Sequence, residues 1–407
     1  MSPRVLLAHP SPDLYGSDRV LLESITGLVA AGAEVTVTLP ESGPLVPLIR
    51  AAGADVSIIP VPVLRRALLQ PLNLARVGLS APAALRRTLR ALRALNPDVV
   101  VVNTVTIPIW LAAARLSRIP TIAHVHEADR AQRSLVRRVL TVPLRAAHNV
   151  IANSAHTRDT ILESVPALAG RTSVLYNGVP GPQAALPRGA RPAQPVLVCV
   201  GRLSERKGAA VAIEAVAILR ERGIIARLDL VGNAYRGAEA HEDVLRARIV
   251  ELALTTQVRF RGFRDPVWPE LARADIALIP SLGEESFGNT AVEAVMAERP
   301  AIASDAAGLR EAGGGFATVE LVAPGSAEAI ADAVQRLLSR WDELDTAGAA
   351  ADAHRRFGAE RYRTAFADAV YAAAPGAVPT PPSTPSTGYH RAPATLPRTR
   401  RPETPAP

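Results

Sequence analysis

The sequence predicts an α/β fold in which two Rossmann-like, doubly wound parallel-sheet domains face a cleft. Three observations lead there. Short apolar strands alternate with helix-like stretches, the alternation restarts after a stretch rich in Pro, Gly and Ala from Pro180 to Pro195, and 407 residues exceed what one ordinary core accommodates.

In the first series the candidate strands are Val5 to Ala8, Val35 to Leu39, Val56 to Ile59, Val99 to Val102, Thr121 to Val125, Val150 to Ala152 and Ser173 to Leu175. Helix-like segments such as Ser17 to Ala31, Ala83 to Leu95 and Ala155 to Ser164 lie between them. Repeated βα units of this kind argue for a parallel sheet covered on both faces. The uncharged run from Val99 to Ala114 is shorter than the roughly 20 residues a membrane-spanning helix needs. With Asn103 and Pro108 inside it, it reads as strand, turn and helix.

The second series runs through strand Val196 to Val200, helix Ala210 to Arg222, strand Arg227 to Val231, helix Asp243 to Ala253, strand Val258 to Arg261, strand Ile276 to Pro280, helix Asn289 to Ala297 and strand Ala301 to Ser304. Open sheets of this type bind ligands beyond the carboxyl ends of their strands, so the cleft between the two is the expected site. The boundaries follow as residues 1–185 and 186–355. The last 33 residues, 375–407, hold ten prolines and six threonines and are expected to be disordered.

Composition narrows the function classes. With 48% hydrophobic residues both domains can bury a core, but 4% aromatics argue against a nucleic-acid surface built on stacking. No nucleic-acid partner is expected. Cys199 is the single cysteine, which excludes an internal disulfide and a cysteine-cluster metal site and makes a reducing cytosol the default. The apolar run after Arg4 is too short for a signal peptide, which again points to the cytoplasm. Net charge is +8, of which 375–407 supply +3, so the remainder is only mildly basic.

The most informative segment is Ser281 to Glu311. Glu285 and Glu293 stand eight apart around Phe287-Gly288-Asn289, where an apolar strand gives way to a helix. Amides near Gly288 to Thr290 at a helix N-terminus can receive a diphosphate. Glu293, about one turn in, can accept two vicinal ribose hydroxyls, and Glu285 can reach the group beyond the phosphates. A solvated Glu on an Asn-capped helix would show the same letters. After the first strand of the second series, Gly201-Arg-Leu-Ser-Glu-Arg-Lys207-Gly208 projects Arg202 and Lys207 toward the cleft, where they can clamp a diphosphate. Lys207 is the one lysine among 46 basic residues, and a compact ammonium is not interchangeable with a guanidinium. It is not a P-loop, because no Ser or Thr follows the lysine to hold magnesium.

In the first series, Tyr15-Gly16-Ser17 precedes a helix, where Gly16 permits close approach to an anion, although Ser17 as a plain N-cap fits equally. His124 and His126 straddle Val125 and point to one side of a strand end. Read as H-x-H-x-x-D with Asp129 they would suggest a metal, but no cluster completes a ligand set. A histidine bonding a sugar hydroxyl suits His126 better, and packing suits His124. From Val56 to Pro97 there is no acidic residue, while Arg65, Arg66, Arg76, Arg86, Arg87, Arg90 and Arg93 accumulate. Arg86, Arg90 and Arg93 share one helix face and Leu85, Leu89 and Leu92 another, a surface suited to an anionic membrane or a lipid-linked acceptor, or simply to water.

Taken together, G-R-L-S-E-R-K-G, E-S-F-G-N-T-A-V-E-A and P-A-I-A-S-D-A-A-G-L-R-E resemble the retaining glycosyltransferases of family 4, and the likeness runs over most of residues 4 to 370. The resemblance implies the GT-B fold and transfer of a sugar from a nucleotide-diphosphate sugar, UDP ahead of GDP, to a hydroxyl acceptor. It implies that Arg202 and Lys207 bind the diphosphate with Gly16 and the Phe287, Gly288 and Asn289 turn, that Glu293 binds the ribose, and that Glu285 and His126 contact the transferred sugar. Anomeric configuration would be retained by front-face attack with no protein nucleophile, and no metal or other cofactor is called for. The absence of a D-x-D sequence agrees. A helix around Ala350 to Tyr371, within 356–374, would cross back to the first domain. Ala234, Glu298 and Ala307 depart from glycines usual in the family. Two rival readings are a sugar-nucleotide epimerase of similar fold and a non-catalytic nucleotide-sugar-binding subunit docked on a membrane.

Overall fold

The computed structural model describes residues 2–64, 71–127, 130, 134–184, 186–234 and 240–374. Asp129, Arg65, Arg66 and the 375–407 segment lie outside them. The first unit runs β1 (Arg4–Ala8), α1 (Gly16–Ala30), β2 (Glu34–Leu39), α2 (Leu45–Ala51), β3 (Asp55–Ile58), α3 (Pro71–Leu95), β4 (Val99–Val102), α4 (Pro108–Leu116), β5 (Thr121–Val125), α5 (Ser134–Thr141), β6 (Asn149–Ala152), α6 (Ala155–Ser164) and β7 (Thr172–Val174). All its strands are parallel, in the order β3-β2-β1-β4-β5-β6-β7.

The second unit runs β8 (Val196–Val200), α7 (Ala209–Glu221), β9 (Arg227–Val231), α8 (Ala240–Glu251), β10 (Val258–Gly262), α9 (Trp268–Arg273), β11 (Ile276–Ile279), α10 (Asn289–Met296), β12 (Ala301–Ser304), α11 (Ala307–Gly313), β13 (Val319–Val322) and α12 (Ala327–Ser339). Its six parallel strands are ordered β10-β9-β8-β11-β12-β13. Two helices follow, α13 (Thr346–Phe357) and α14 (Ala359–Ala373).

Alternation along the strands feeds two cores per sheet. Val5 and Leu7 of β1 join one buried cluster while Leu6 and Ala8 join the other, and Leu197 and Val198 of β8 part in the same way. Both sheets reverse strand order beside their first strand. Chains leaving β1 and β4, and β8 and β11, therefore diverge and open a crevice at their carboxyl ends.

The last helix belongs by packing to the first unit. Tyr362, Phe366, Val370 and Tyr371 enter the cluster of Val20, Leu21 and Ile25. The Tyr362 hydroxyl lies 2.7 Å from Ser24 Oγ, Arg363 pairs with Glu23 at 2.6 Å, and Tyr371 donates to the Ala31 carbonyl at 2.6 Å. A Cβ on Gly27 would stand 2.6 Å from the Arg363 carbonyl oxygen, so the glycine sets how closely α1 and α14 approach.

Some elements differ from the sequence-based expectation. The helix expected from Ala83 starts at Pro71 and carries Pro82 inside it. The second sheet has a sixth strand, β13, whose V-E-L-V is only partly buried until Val322 and so lacks an apolar run. Helices α2, α5, α9, α11 and α12 have no counterpart among the segments named from the sequence, and the single helix expected around Ala350 to Tyr371 is two, α13 and α14, parted at Gly358. Among the described residues no helix is long and apolar enough to cross a membrane.

Candidate functional site

The strand-to-helix junction after β11 forms the centre of the cleft. Gly288 is the N-cap of α10 with φ 121, and a Cβ there would meet Leu309 at 2.6 Å, so only glycine fits. Asn289 is thus the first helical residue and not the cap. The amides of Ala291 and Val292 bond back to the Gly288 carbonyl, and those of Asn289 and Thr290 have no protein acceptor among the described residues. These two are the unpaired donors that a helix start offers an anion. The Phe287 ring is not part of that surface. It is 1% exposed and packs 5.5 Å from Tyr176 and 5.3 Å from Phe357, so only its backbone can face a ligand.

Glu285 gathers three partners. Lys207 Nζ stands 2.9 Å from its Oε1, Arg206 donates to the same oxygen at 3.0 Å, and the Ser281 hydroxyl donates at 2.9 Å. Burial alone would raise this carboxyl, but the charges of Lys207 and Arg206 outweigh it and hold the group below the ordinary carboxylate range. The 3-10 turn Glu205–Lys207 and the left-handed Gly208 place both cations, and a Cβ on Gly208 would strike the Pro280 carbonyl at 1.9 Å. That close approach of the two loops brings Lys207 to Glu285.

Glu293 faces the first unit. Arg19 of α1 lies 3.6 Å from its Oε1 and 3.4 Å from Asp265. Burial raises the Glu293 carboxyl and Arg19 opposes it. Gly16 sits across the cleft from α10, where a Cβ would lie 3.5 Å from Asn289 Nδ2. The Arg202 guanidinium lies over the Tyr15 ring at 4.0 Å, so this cation is held toward the first unit rather than at Glu285.

His126 is held within the first unit, its Nε2 3.0 Å from Asn103 Oδ1. Burial, with the charge of His9, lowers its pKa to about 3, so the ring is neutral. His124 and His126 do share a side, with ring centroids 4.0 Å apart. His124 packs on Phe366 and Tyr362, and burial pulls its pKa well below the usual value. Glu127 accepts from the Thr104 hydroxyl and from the amides of Val105 and His126, while the surrounding protein raises its carboxyl.

The structure also adds residues that sequence reasoning missed. Glu311 of α11 accepts the amides of Ala155 and His156 at 2.7 and 2.6 Å, at the N-terminus of α6. Ser154 caps the same helix through the Thr157 amide at 2.9 Å and donates its proton to the Ser286 carbonyl. Asn153 donates to Ser286 Oγ at 3.2 Å and Asn177 to Asn289 at 2.9 Å. Beside this seam lies a recess of about 430 Å³ between the units, lined among others by Arg130, His156, Tyr176, Glu284 and Arg310. S-A-H-T at 154–157 carries the N-cap signal for α6. Nothing in the sequence says that a second domain supplies the other acceptor.

Residues 15–180 match the family model described as Glycosyltransferase Family 4, and residues 194–340 match Glycosyl transferases group 1. The chain belongs to this glycosyltransferase family. A 2-deoxystreptamine glucosyltransferase of Streptomyces kanamyceticus is 29% identical over 56% of this chain and 63% of its own length. A GDP-mannose-dependent alpha-(1-6)-phosphatidylinositol dimannoside mannosyltransferase of Mycobacterium tuberculosis is 37% identical over 37% of each chain. The chain thus spans less than two thirds of these relatives. Among solved structures, HepE of Anabaena in complex with UDP-glucose shares the fold with a TM-score of 0.76 at 21% identity, covering 91% of this glycosyltransferase-family chain and 100% of its own. WaaG, a glycosyltransferase involved in lipopolysaccharide biosynthesis, superposes with a TM-score of 0.65 at 17% identity, over 90% and 99%.

Proposed function

We propose that the chain is a retaining glycosyltransferase that moves a sugar from a nucleoside diphosphate sugar to a hydroxyl acceptor. The observation that carries this reading is the meeting of Lys207, Arg206 and Glu285 beside the unpaired Asn289 and Thr290 amides. Diphosphate oxygens would take those amides together with Lys207 and Arg202, with Gly16 giving the backbone room to approach. Glu293 would accept two ribose hydroxyls, and Glu285 would hold the donor sugar. His126 would bond that sugar near its reacting carbon. Charge developing on the leaving phosphate would be met by cations already in place, and the phosphate would take the acceptor proton on the same face.

UDP is the first nucleotide to test, supported by the UDP and UDP-glucose complexes of HepE, and the GDP-mannose dependence of the mycobacterial relative puts GDP second. A lipid-linked acceptor, met at the inner face of the plasma membrane, suits α3. Its Arg86, Arg90 and Arg93 are exposed while Leu92 is buried in the first unit.

The test is release of nucleoside diphosphate from a panel of UDP- and GDP-sugars by the full chain, with product sugars identified. Glu285→Gln and Lys207→Ala are each expected to lower turnover by about a hundredfold. Unchanged turnover in both would remove the site assignment. A changed sugar with no net nucleoside diphosphate would mark an epimerase instead.

A further inference from the structure

Arg19 leaves α1 near its start and reaches out of the first unit. Its guanidinium lies 3.6 Å from Glu293 Oε1 on α10 and 3.4 Å from Asp265 Oδ1, in the turn between β10 and α9. One cation of the first unit thus bridges two acidic side chains of the second. The start of α1 is pinned, because Asp18 accepts the Tyr15 amide at 2.7 Å and its other oxygen lies 2.7 Å from His9 Nε2, so the fold sets where Arg19 departs.

At 3.6 Å the contact with Glu293 is a charge beside a charge and not a hydrogen bond, so the Glu293 oxygens keep lone pairs toward Arg19 that vicinal hydroxyls can use. A carboxylate offers both oxygens as acceptors only while it is ionised. Burial works against that state, and so does the like charge of Asp265, whereas Arg19 and then Lys207 favour it. Lys207 is already paired with Glu285 at 2.9 Å. Arg19 is the strongest favourable charge on Glu293 and comes from the first unit, while Asp265 and Lys207 belong to the second.

We propose that Arg19 is a positioning residue through which the first unit completes a ribose site otherwise built by the second, so that Glu293 accepts both ribose hydroxyls when the two units meet. The proposal rests on the nucleotide-sugar reading above. It ties nucleotide affinity to closure of the cleft. With the units apart, Glu293 and Asp265 would face each other without the cation, and a proton taken up by Glu293 would remove one of its acceptors.

The test is calorimetric titration of the full chain with UDP and with GDP at pH 6 and pH 8. Arg19→Gln should weaken binding at pH 6 by about fivefold relative to wild type, the upper end for a partly exposed ion pair, and the gap should close at pH 8, where Glu293 is ionised in both. Arg19→Lys should recover most of the loss, and Asp265→Asn, which removes the opposing charge, should restore binding in the Arg19→Gln background. The 2′,3′-dideoxy analogues, which have no hydroxyls for Glu293, should bind wild type and Arg19→Gln alike. Tighter binding by Arg19→Gln would overturn the proposal, because Arg19 would then compete with the ribose. A loss equal at both pH values, or equal for the dideoxy analogues, would overturn it too, leaving Arg19 a closure contact alone. In nucleotide-free protein, the Glu293 carboxyl carbon, followed by carbon-13 NMR and assigned by its loss in Glu293→Gln, should titrate at higher pH in Arg19→Gln than in wild type, and identical titrations would also overturn the proposal. If wild type bound neither UDP nor GDP the functional reading would fall, and the Glu293 titration would still decide what Arg19 does.

Discussion

The Glu311 carboxylate of the second unit receives the Ala155 amide of the first at 2.7 Å, and the next amide, that of His156, at 2.6 Å. One side chain so supplies two of the four acceptors that the α6 N-terminus lacks, and its negative charge meets the positive end of the helix. Helix capping and closure of the cleft are here the same contact.

Glu311→Ala should therefore loosen closure without unfolding either unit. We expect a larger radius of gyration in small-angle scattering, with a melting temperature close to wild type. The lost helix-end charge is worth roughly 0.3 to 1 kcal/mol. An unchanged scattering profile would show that the remaining seam, Ser154 to Ser286 and Asn177 to Asn289, suffices to hold the units together.

Glu298 closes α10 in a left-handed conformation, φ 59, with the Arg299 amide reaching back to the Ala294 carbonyl at 2.9 Å. This is a Schellman ending built on a residue with a Cβ. Glu298→Gly should raise stability by about 1 kcal/mol in urea melts, because relief of the backbone strain exceeds the added freedom of the unfolded chain. A loss of stability would mean that the Glu298 side chain contributes more than its backbone costs.

Two buried neutral histidines make acid stability predictable in sign. His126 titrates near 3 in the folded chain against about 6.5 unfolded, and His124 is lowered as well. A depressed folded pKa means that the unfolded chain takes up the proton first. Stability from these groups is full above about pH 6.5 and falls as pH drops toward 3, by up to about 1.4 kcal/mol per pH unit for each. His124→Phe should flatten that slope in denaturant melts between pH 7 and 5, and an unaltered slope would place the proton uptake elsewhere.

The Arg face of α3 predicts salt-sensitive adsorption to anionic vesicles. Each Arg near such a surface is worth about 1 kcal/mol, so replacing Arg86, Arg90 and Arg93 with Ser should weaken binding on the order of a hundredfold. Leu79, 84% exposed on the same helix, marks an apolar contact that salt would not remove. Equal binding by wild type and triple variant would discard the membrane surface.

The fold was readable because parallel strands buried on both faces are written as continuous apolar runs, as in Val99 to Val102. β13 broke that rule with Glu320, which at the sheet edge pairs with Arg336 and Arg340. Glu285, Glu293 and Lys207 could be found because loops after strand ends keep chemistry local in sequence. Arg206 could not be told from its neighbours, since Lys207 and Arg206 both reach the same oxygen only after the Gly208 turn folds them onto Glu285. Arg19 meets Glu293 and Asp265 of the other unit, and Asn103 meets His9 from the far end of another βα unit, separations that no motif spacing records. Ala307 and Glu298, noted as departures from glycine, both proved to sit in left-handed backbone, φ 43 and 59. There the sequence marked the turn and the wrong residue type at once.

The packing of α14 on α1 orders events during synthesis. Tyr362 and Phe366 complete the core that Val20, Leu21 and Ile25 begin, so the first half of the chain cannot close its core until the last helix has left the ribosome. The second unit, with all six of its strands between Val196 and Val322, meets no such delay. The half made first is therefore the half finished last, and a fragment ending at the linker would expose the apolar floor of α1 to whatever chaperone or neighbour finds it.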